Sequence, residues 1–248
     1  AVSEAIDRAG IVRLVYGGYG TPLWGNVSPG NKMWVDNALP HPARSLDDAK
    51  TLLRSAGFRW SNDGTLLDRS GTPVEFSILT SSSNAQRSKM ATLIQEDLKQ
   101  LGMKVNVVPM DFRSMVDRLL QTYDYDAAIM GLGGGDADPN PEVNVWEMSG
   151  TMHLWHVGES AGAQDWEREL DQLMQQQMIT LKYNDRKKIY DRVQQVIANN
   201  LPFIFLATPN VLTAAKAQLG NFHPAILDHY TLWNAEDLYW RDPSLRGR

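Results

Sequence analysis

No cysteine occurs in the 248 residues. That excludes disulfides, thiol catalysis and thiolate metal sites, and it fits an oxidising compartment. No apolar run approaches the roughly 18 residues that a membrane-spanning helix needs. Basic residues are not in excess: 24 Lys and Arg stand against 29 Asp and Glu, a net charge of -5. Broad electrostatic affinity for nucleic acid or an anionic membrane is therefore disfavoured. There is no internal repeat, no low-complexity tract and no G-x-S-x-G nucleophile elbow.

The composition that is present is that of an ordinary globular protein, with 43% hydrophobic and 21% charged residues, and enough chain to bury a sizeable core. Residues 1–18, AVSEAIDRAGIVRLVYGG, carry Glu4 and Asp7 where a secretory leader has its basic region. Ala5, Ile6, Ile11, Val12 and Val15 instead predict a short amphipathic helix. The expectation is a piece of a longer protein that begins inside a fold.

Further along, Ser45 predicts a helix cap, with Ala49, Leu52, Leu53 and Ala56 on one face and Gly57 as the stop. Val74–Leu79 alternates like a strand. Met90, Ile94, Leu98 and Leu101 repeat at helical spacing up to Gly102. Lys104–Pro109 reads as a second strand, and Asp111 as the cap of a short helix. Tyr125–Gly131 reads as a third strand. Two more helices are marked by Trp166, Leu170, Leu173 and Gln177 and then by Ile189, Val193 and Val196, with Asn184 as a cap. Pro202–Leu206 reads as a buried strand. The alternation of strand and helix predicts an α/β sheet covered by helices, with residues 1–248 as a single domain.

In such sheets ligands gather beyond the carboxyl ends of the strands. Three loops come after predicted strands: residues 81–84, 109–113 and 132–146. The last belongs to the stretch GLGGGDADPNPEVNVW. It lacks the lysine and the hydroxyl of a phosphate loop, and Asp136 and Asp138 would repel phosphate. Asp136, Asp138, Asn140 and Glu147 match positions 1, 3, 5 and 12 of a calcium loop, but Pro141 stands where a sharp turn needs glycine. His153, His156 and Glu159 have the residue types of a transition-metal site but lie in a loop-like context. Asp136 and Glu142 could be named as a hydrolase carboxylate pair, with no separation readable from sequence. Asp-Pro and Asn-Pro steps also make turns unaided, with Asp138 capping the residues after it. Trp24, Trp34, Trp146 and Trp155 fall in predicted loops, where a ligand or a partner domain would account for them.

Five segments in order resemble the extracytoplasmic solute-binding proteins of the peptide/nickel family (family 5), the binding subunits of ABC importers. They are VSEAIDRAGIVRLVYGGYGTP, LDDAKTLLRSAGF, RSKMATLIQEDLKQLGMKVNVVPMDF, YDAAIMGLGGGDADPNP and DRKKIYDRVQQVIANNLPFIFL. The resemblance runs from Val2 to about Tyr239. It implies a three-layer, type II periplasmic-binding-protein-like lobe, a mixed sheet flanked by helices. The chain would then be the second lobe of a two-lobe protein whose N-terminal lobe is absent here.

The implied function is capture, not catalysis: a peptide, oligosaccharide or metal chelate is held between lobes and handed to a membrane permease. The setting is periplasmic or extracytoplasmic, with membrane tethering possible, and no cofactor or nucleic acid takes part. Peptide binders of the family place an acid three residues after a tryptophan to pair with the peptide's amino terminus. Here Leu132 holds the tryptophan position and Gly135 the acid position, with Asp136 one residue later. The ligand-binding residues expected are Ser82, Ser83, Asn84, Gly134, Gly135, Asp136, Trp146 and Trp155. The alternative is a secreted hydrolase acting on peptide or oligosaccharide.

Overall fold

The computed structural model describes residues 1–132, 137–155, 164–225 and 231–242. The predicted first helix is two: α1 (Val2–Ala5) and α2 (Arg8–Val15). Asp7 divides them, because its side chain caps α2 at Gly10 N, 2.8 Å. Next come β1 (Gly20–Pro22) and α3 (Leu46–Ser55), which Ser45 caps through Asp48 N. Ala49 and Leu53 are buried as expected, but Leu52 is 48% exposed and faces away from the core.

The short strands β2 (Arg59–Trp60) and β3 (Leu66–Leu67) pair antiparallel and lead to β4 (Glu75–Ser81). Asn84 caps α4 (Ala85–Lys99), whose Met90, Ile94 and Leu98 are buried. Gly102 adopts φ +81 after α4, and a Cβ there would collide with the Gly64 carbonyl. β5 (Lys104–Met110) comes next, then α5 (Phe112–Asp117), which Asp111 caps through Arg113 N and Ser114 N. The third strand, β6, is only Ala127–Ala128. Before it, the Asp126 carboxylate accepts from Ser77 N at 2.8 Å, so a side chain stands in for the ladder.

β4 lies between β5 and β6 and runs parallel to both. Residues alternate across this sheet as the pleat requires. Ile78, Val105 and Ile129 join a core with α1, α2, α3 and α4. Leu79, Val108 and Ala128 join a second cluster with Met115 and Leu119 on the other face. The layers are helix, sheet, helix. The antiparallel pairs occur in separate two-stranded ribbons, not in this sheet.

The remaining elements are α6 (Val143–Trp146), α7 (Asp165–Ile179), α8 (Tyr183–Asn200), β7 (Ala207–Pro209), β8 (Leu219–Gly220) and β9 (Tyr239–Trp240). α8 starts one residue before Asn184, and no side chain caps it, so Asn184 is inside the helix. Trp34 and Trp146 pack with Leu170, Met174, Tyr190 and Ile197 in a third core between the loops and α7 and α8. Among the described residues, no helix is long and apolar enough to cross a membrane.

Residues 202–206 form no strand: the chain bends at 202 and 203, and one backbone bond, Leu23 N to Leu206 O at 3.1 Å, precedes β7, which pairs with β1. The carbonyl one residue before that bond, on Phe205, is occupied by Arg8, which is 7% exposed. Its Nε donates to Phe205 O (2.7 Å) and Leu23 O (3.0 Å), Nη1 to Ser3 O (2.8 Å) and Nη2 to Ser3 Oγ (2.7 Å). The Phe205 carbonyl is taken by a side chain and leaves the ladder. Arg8→Ala should strand three carbonyls that lie largely out of water and lower stability by about 3 kcal/mol. Urea unfolding would show this as an earlier midpoint. Arg8→Lys should recover less than half, because an ammonium cannot reproduce the planar fork.

Candidate ligand-binding site

The chain leaves β4, crosses through α4 to β5 on one side, and returns through α5 to β6 on the other. Strand order therefore reverses at β4, which opens a crevice beyond its carboxyl end. Ser82, Ser83 and Asn84 lie at that end. Ser82 N donates to Met110 O at 2.8 Å, carrying the β4–β5 ladder one residue further. Ser81 and Ser83 hydroxyls are 2.9 Å apart, and Asn84 Oδ1 accepts from Arg87 N at 2.9 Å. Asn84 has thus committed its oxygen to the α4 cap. Its amide nitrogen and the exposed Ser82 and Ser83 remain the outward polar groups.

The loop after β6 enters at Gly131 and Leu132. Gly134, Gly135 and Asp136 lie outside the described residues, as do His156 and Glu159. The loop leaves through a dense set of clamps. Both Asp138 oxygens pair with Arg186, at 2.6 and 2.7 Å, and Oδ1 also accepts from Asn140 N at 2.9 Å. Asp138 is the predicted cap, and its carboxylate is already paired with a cation. Arg186 also donates to buried Gln177 and lies 4.9 Å over the Trp34 ring. Gln177 in turn donates to Asn140 Oδ1 at 3.3 Å.

A second clamp centres on Glu142. Its Oε2 accepts from Trp146 Nε1 (2.6 Å), Asn26 Nδ2 (2.7 Å) and Tyr190 OH (2.8 Å). Burial raises the carboxyl above its ordinary range, and the three donors oppose that rise. Burial, and then the neighbouring carboxylate, push the Tyr190 phenol well up.

The tryptophans sit elsewhere than expected. Trp146 is 2% exposed, with its ring 5.8 Å from those of Trp155 and Phe203. Trp155 is half-buried between them and Trp166, and its Nε1 donates to buried Glu167 at 2.8 Å. This chain's own third core covers Trp34 and Trp146, so no outside partner is needed to explain those two rings. Trp146 and Trp155 are packed with α7 and α8, apart from Ser82, Ser83 and Asn84. His153, also buried, sets Nδ1 3.2 Å from Val145 O. No cluster of three His, Asp or Glu side chains gathers among the described residues.

Sequence reasoning missed Arg186, Gln177, Asn26 and Tyr190 as partners of the loop. Each is 37 to 116 residues from its contact in the loop, and no local pattern marks such a pair.

Residues 1–152 match the family model of bacterial extracellular solute-binding proteins, family 5. A Deinococcus radiodurans protein named "Probable ABC transporter-binding protein" is 30% identical over 224 residues, 85% of this chain and 37% of that protein. The oligopeptide-binding protein AppA of Bacillus subtilis is 26% identical over 230 residues, 90% of this chain and 41% of that one. Its structure in complex with a nonapeptide superposes with a TM-score of 0.74 at 25% identity, over 97% of this chain and 46% of AppA. NikA from Brucella suis, in complex with Fe(III)-EDTA, shares the fold with a TM-score of 0.77 at 17% identity, over 96% and 46% of the two chains. The chain thus spans about two fifths of the length of the curated relatives it matches. These relatives are binding proteins, and the expected type II lobe is the fold observed.

Hydrogen bonding from Arg186, chiefly, holds Asp138 below its ordinary value of 3.8. A native value below the unfolded one means stability that is present above 3.8 and lost as pH falls through the native value. Asp138→Asn should cost about 1 kcal/mol at pH 7, the half-exposed pair being screened. Urea midpoints at pH 7 and pH 3 would check this. The gap between wild type and variant should shrink in acid, and a constant gap would clear the ion pair of the effect.

Proposed function

The chain belongs to family 5 of the bacterial extracellular solute-binding proteins, and from that premise we propose that it is one lobe of the substrate-binding component of an ABC importer. The lobe holds a peptide or another small solute, an oligosaccharide or metal chelate, against an N-terminal lobe. The loaded protein delivers it to the permease subunits, outside the cytoplasmic membrane. Residues 1–248 act as a single α/β unit of that protein. The observation that carries this reading is the alignment of 97% of the chain with 46% of an oligopeptide-binding protein.

Within the lobe, the site is the crevice at the carboxyl end of β4. Ser82, Ser83 and Asn84 offer hydrogen bonds to the solute, and Gly134, Gly135 and Asp136 complete the set of ligand-binding residues we propose. Trp146 and Trp155 serve the site from below, as the packed base on which the loop is clamped through Glu142 and Asp138. The mechanism is hinge closure on the solute, with no bond made or broken. Half a cleft desolvates a ligand poorly, so the lobe by itself binds weakly.

Native mass spectrometry of the full-length protein, purified gently, tests this. A small solute that leaves on unfolding with its mass unchanged is the expected result. Asp136→Ala should weaken its binding about tenfold, as loss of one charge-assisted hydrogen bond does. Cleavage of added peptides or glycans by the purified protein would overturn capture in favour of hydrolysis.

A further inference from the structure

The turn between α7 and α8 carries aliphatic side chains that the fold leaves in water. Leu181 is 97% exposed and Ile179 80%. Met178 and Tyr183 beside them are exposed too, as is Met33 on the loop that ends at Trp34. Tyr183 brings the two segments together. Its hydroxyl donates to Met33 O at 2.6 Å, and its ring meets Trp34 edge-on at 5.4 Å. Single exposed apolar residues need no explanation, but five at one corner mark an interaction surface.

The corner is built on the residues that hold the loop after β6. Arg186 pairs with Asp138 and lies over the Trp34 ring, and Gln177 donates to Asn140. Asn31 Nδ2 donates to Ala137 O at 3.1 Å. An outward apolar knob is thus tied to the loop that the capture reading places at the solute. The charge around it is mostly of one sign. Residues 28–34 and 176–188 contain one carboxylate, Asp185, which lies 4.0 Å from Lys188. Lys32 and Lys182 are exposed and pair with no acid among the described residues. Five such side chains fall short of the ~800 Å² per partner that a stable complex buries, so the corner suits a transient partner better than a permanent one.

We infer that this corner is the knob by which the loaded protein docks on its permease. The fitting socket is apolar, to receive Ile179 and Leu181, and acidic at its rim, to face Lys32 and Lys182. This rests on the capture reading and names the surface that the permease meets. A small contact steered by charge at its rim forms fast and also dissolves, as repeated delivery requires. Because Arg186 and Gln177 serve both the knob and the loop, the permease touches an element anchored to the loop that meets the solute.

The test titrates the full-length protein, carrying the solute it brings from its host, onto the importer's permease and ATPase subunits in proteoliposomes. Stimulated ATP hydrolysis is the readout. The double variant Ile179→Ser, Leu181→Ser should need at least about tenfold more protein for half-maximal stimulation, having lost two aliphatic contacts. Leu181→Met should keep most of the wild-type response, and Lys182→Glu should weaken it chiefly at low salt. The solute retained in native mass spectra and the melting temperature should match wild type in the double variant. A benzophenone on Leu181→Cys should crosslink to a permease subunit, and one on Leu52→Cys, on the exposed face of α3, should not. A lower melting temperature and less retained solute in the double variant would give the corner to the N-terminal lobe. A wild-type dimer that the double variant dissolves would give it to a second copy. Binding to protein-free phosphatidylglycerol vesicles, lost in the double variant, would give it to lipid. Any of these, or unchanged stimulation, would overturn the knob and leave capture standing. Wild type that retains its solute yet stimulates no ATP hydrolysis would overturn the knob together with the importer reading.

Discussion

Arg8 donates every hydrogen bond that the structure gives its side chain to neutral oxygens, on Ser3, Leu23 and Phe205. Among the described residues the buried charge has no ion-pair partner, so these oxygens must stay where they are or leave a desolvated cation. Burial lowers the Arg8 pKa from its ordinary value, and nearby Glu4 counters part of that effect. One side chain thereby joins the first helix, the Trp24 loop and a segment 197 residues later in sequence. The β1–β7 ribbon then forms directly beyond Phe205. A buried carboxylate does the companion work behind the sheet. Asp97, on α4, accepts from Asp7 N and from Arg44, whose Nε reaches Ala5 O. The N-terminal helices are thus tied to the helix that covers β4.

The proposed cleft depends on those ties because its walls come from strand ends. A parallel sheet whose order reverses at β4 leaves the β5 and β6 connections on opposite sides. The loop after β6 is then anchored on its far side by two polar clamps of different character. Asp138 and Arg186 form a half-exposed ion pair, while Glu142 is a buried acceptor for three donors. Both clamps lead to α7 and α8. Side chains fixed by packing hold a binding loop more closely than the loop could hold itself. The aromatic rings beneath it belong to that support.

Much of the sheet and its covering helices was readable in order along the chain. Ser45, Asn84 and Asp111 cap the helices they precede, because a short polar side chain answers the first free N–H groups locally. Gly57 and Gly102 stop helices for an equally local reason, a positive φ. Where expectation and structure part, a distant group intervenes. Arg8 takes the Phe205 carbonyl, so the pairing with the Leu23 segment goes no further back than Leu206, and the Asp126 carboxylate occupies Ser77 N just before β6. Asn184 has the residue type of a cap, yet α8 begins at Tyr183, whose hydroxyl is drawn to Met33 O.

The α/β class, the caps at Ser45, Asn84 and Asp111, the apolar faces of α4, α7 and α8, and the family were legible in the order of residues. Each rests on periodicity, local backbone chemistry or ordered motifs, which survive without knowledge of contacts. The folded chain was needed to bury Trp146 and to bind Asp138 to Arg186. A residue's type sets what it can bond. Whether that capacity is already filled depends on which distant side chain the fold brings within hydrogen-bond reach, and no spacing along the chain encodes it.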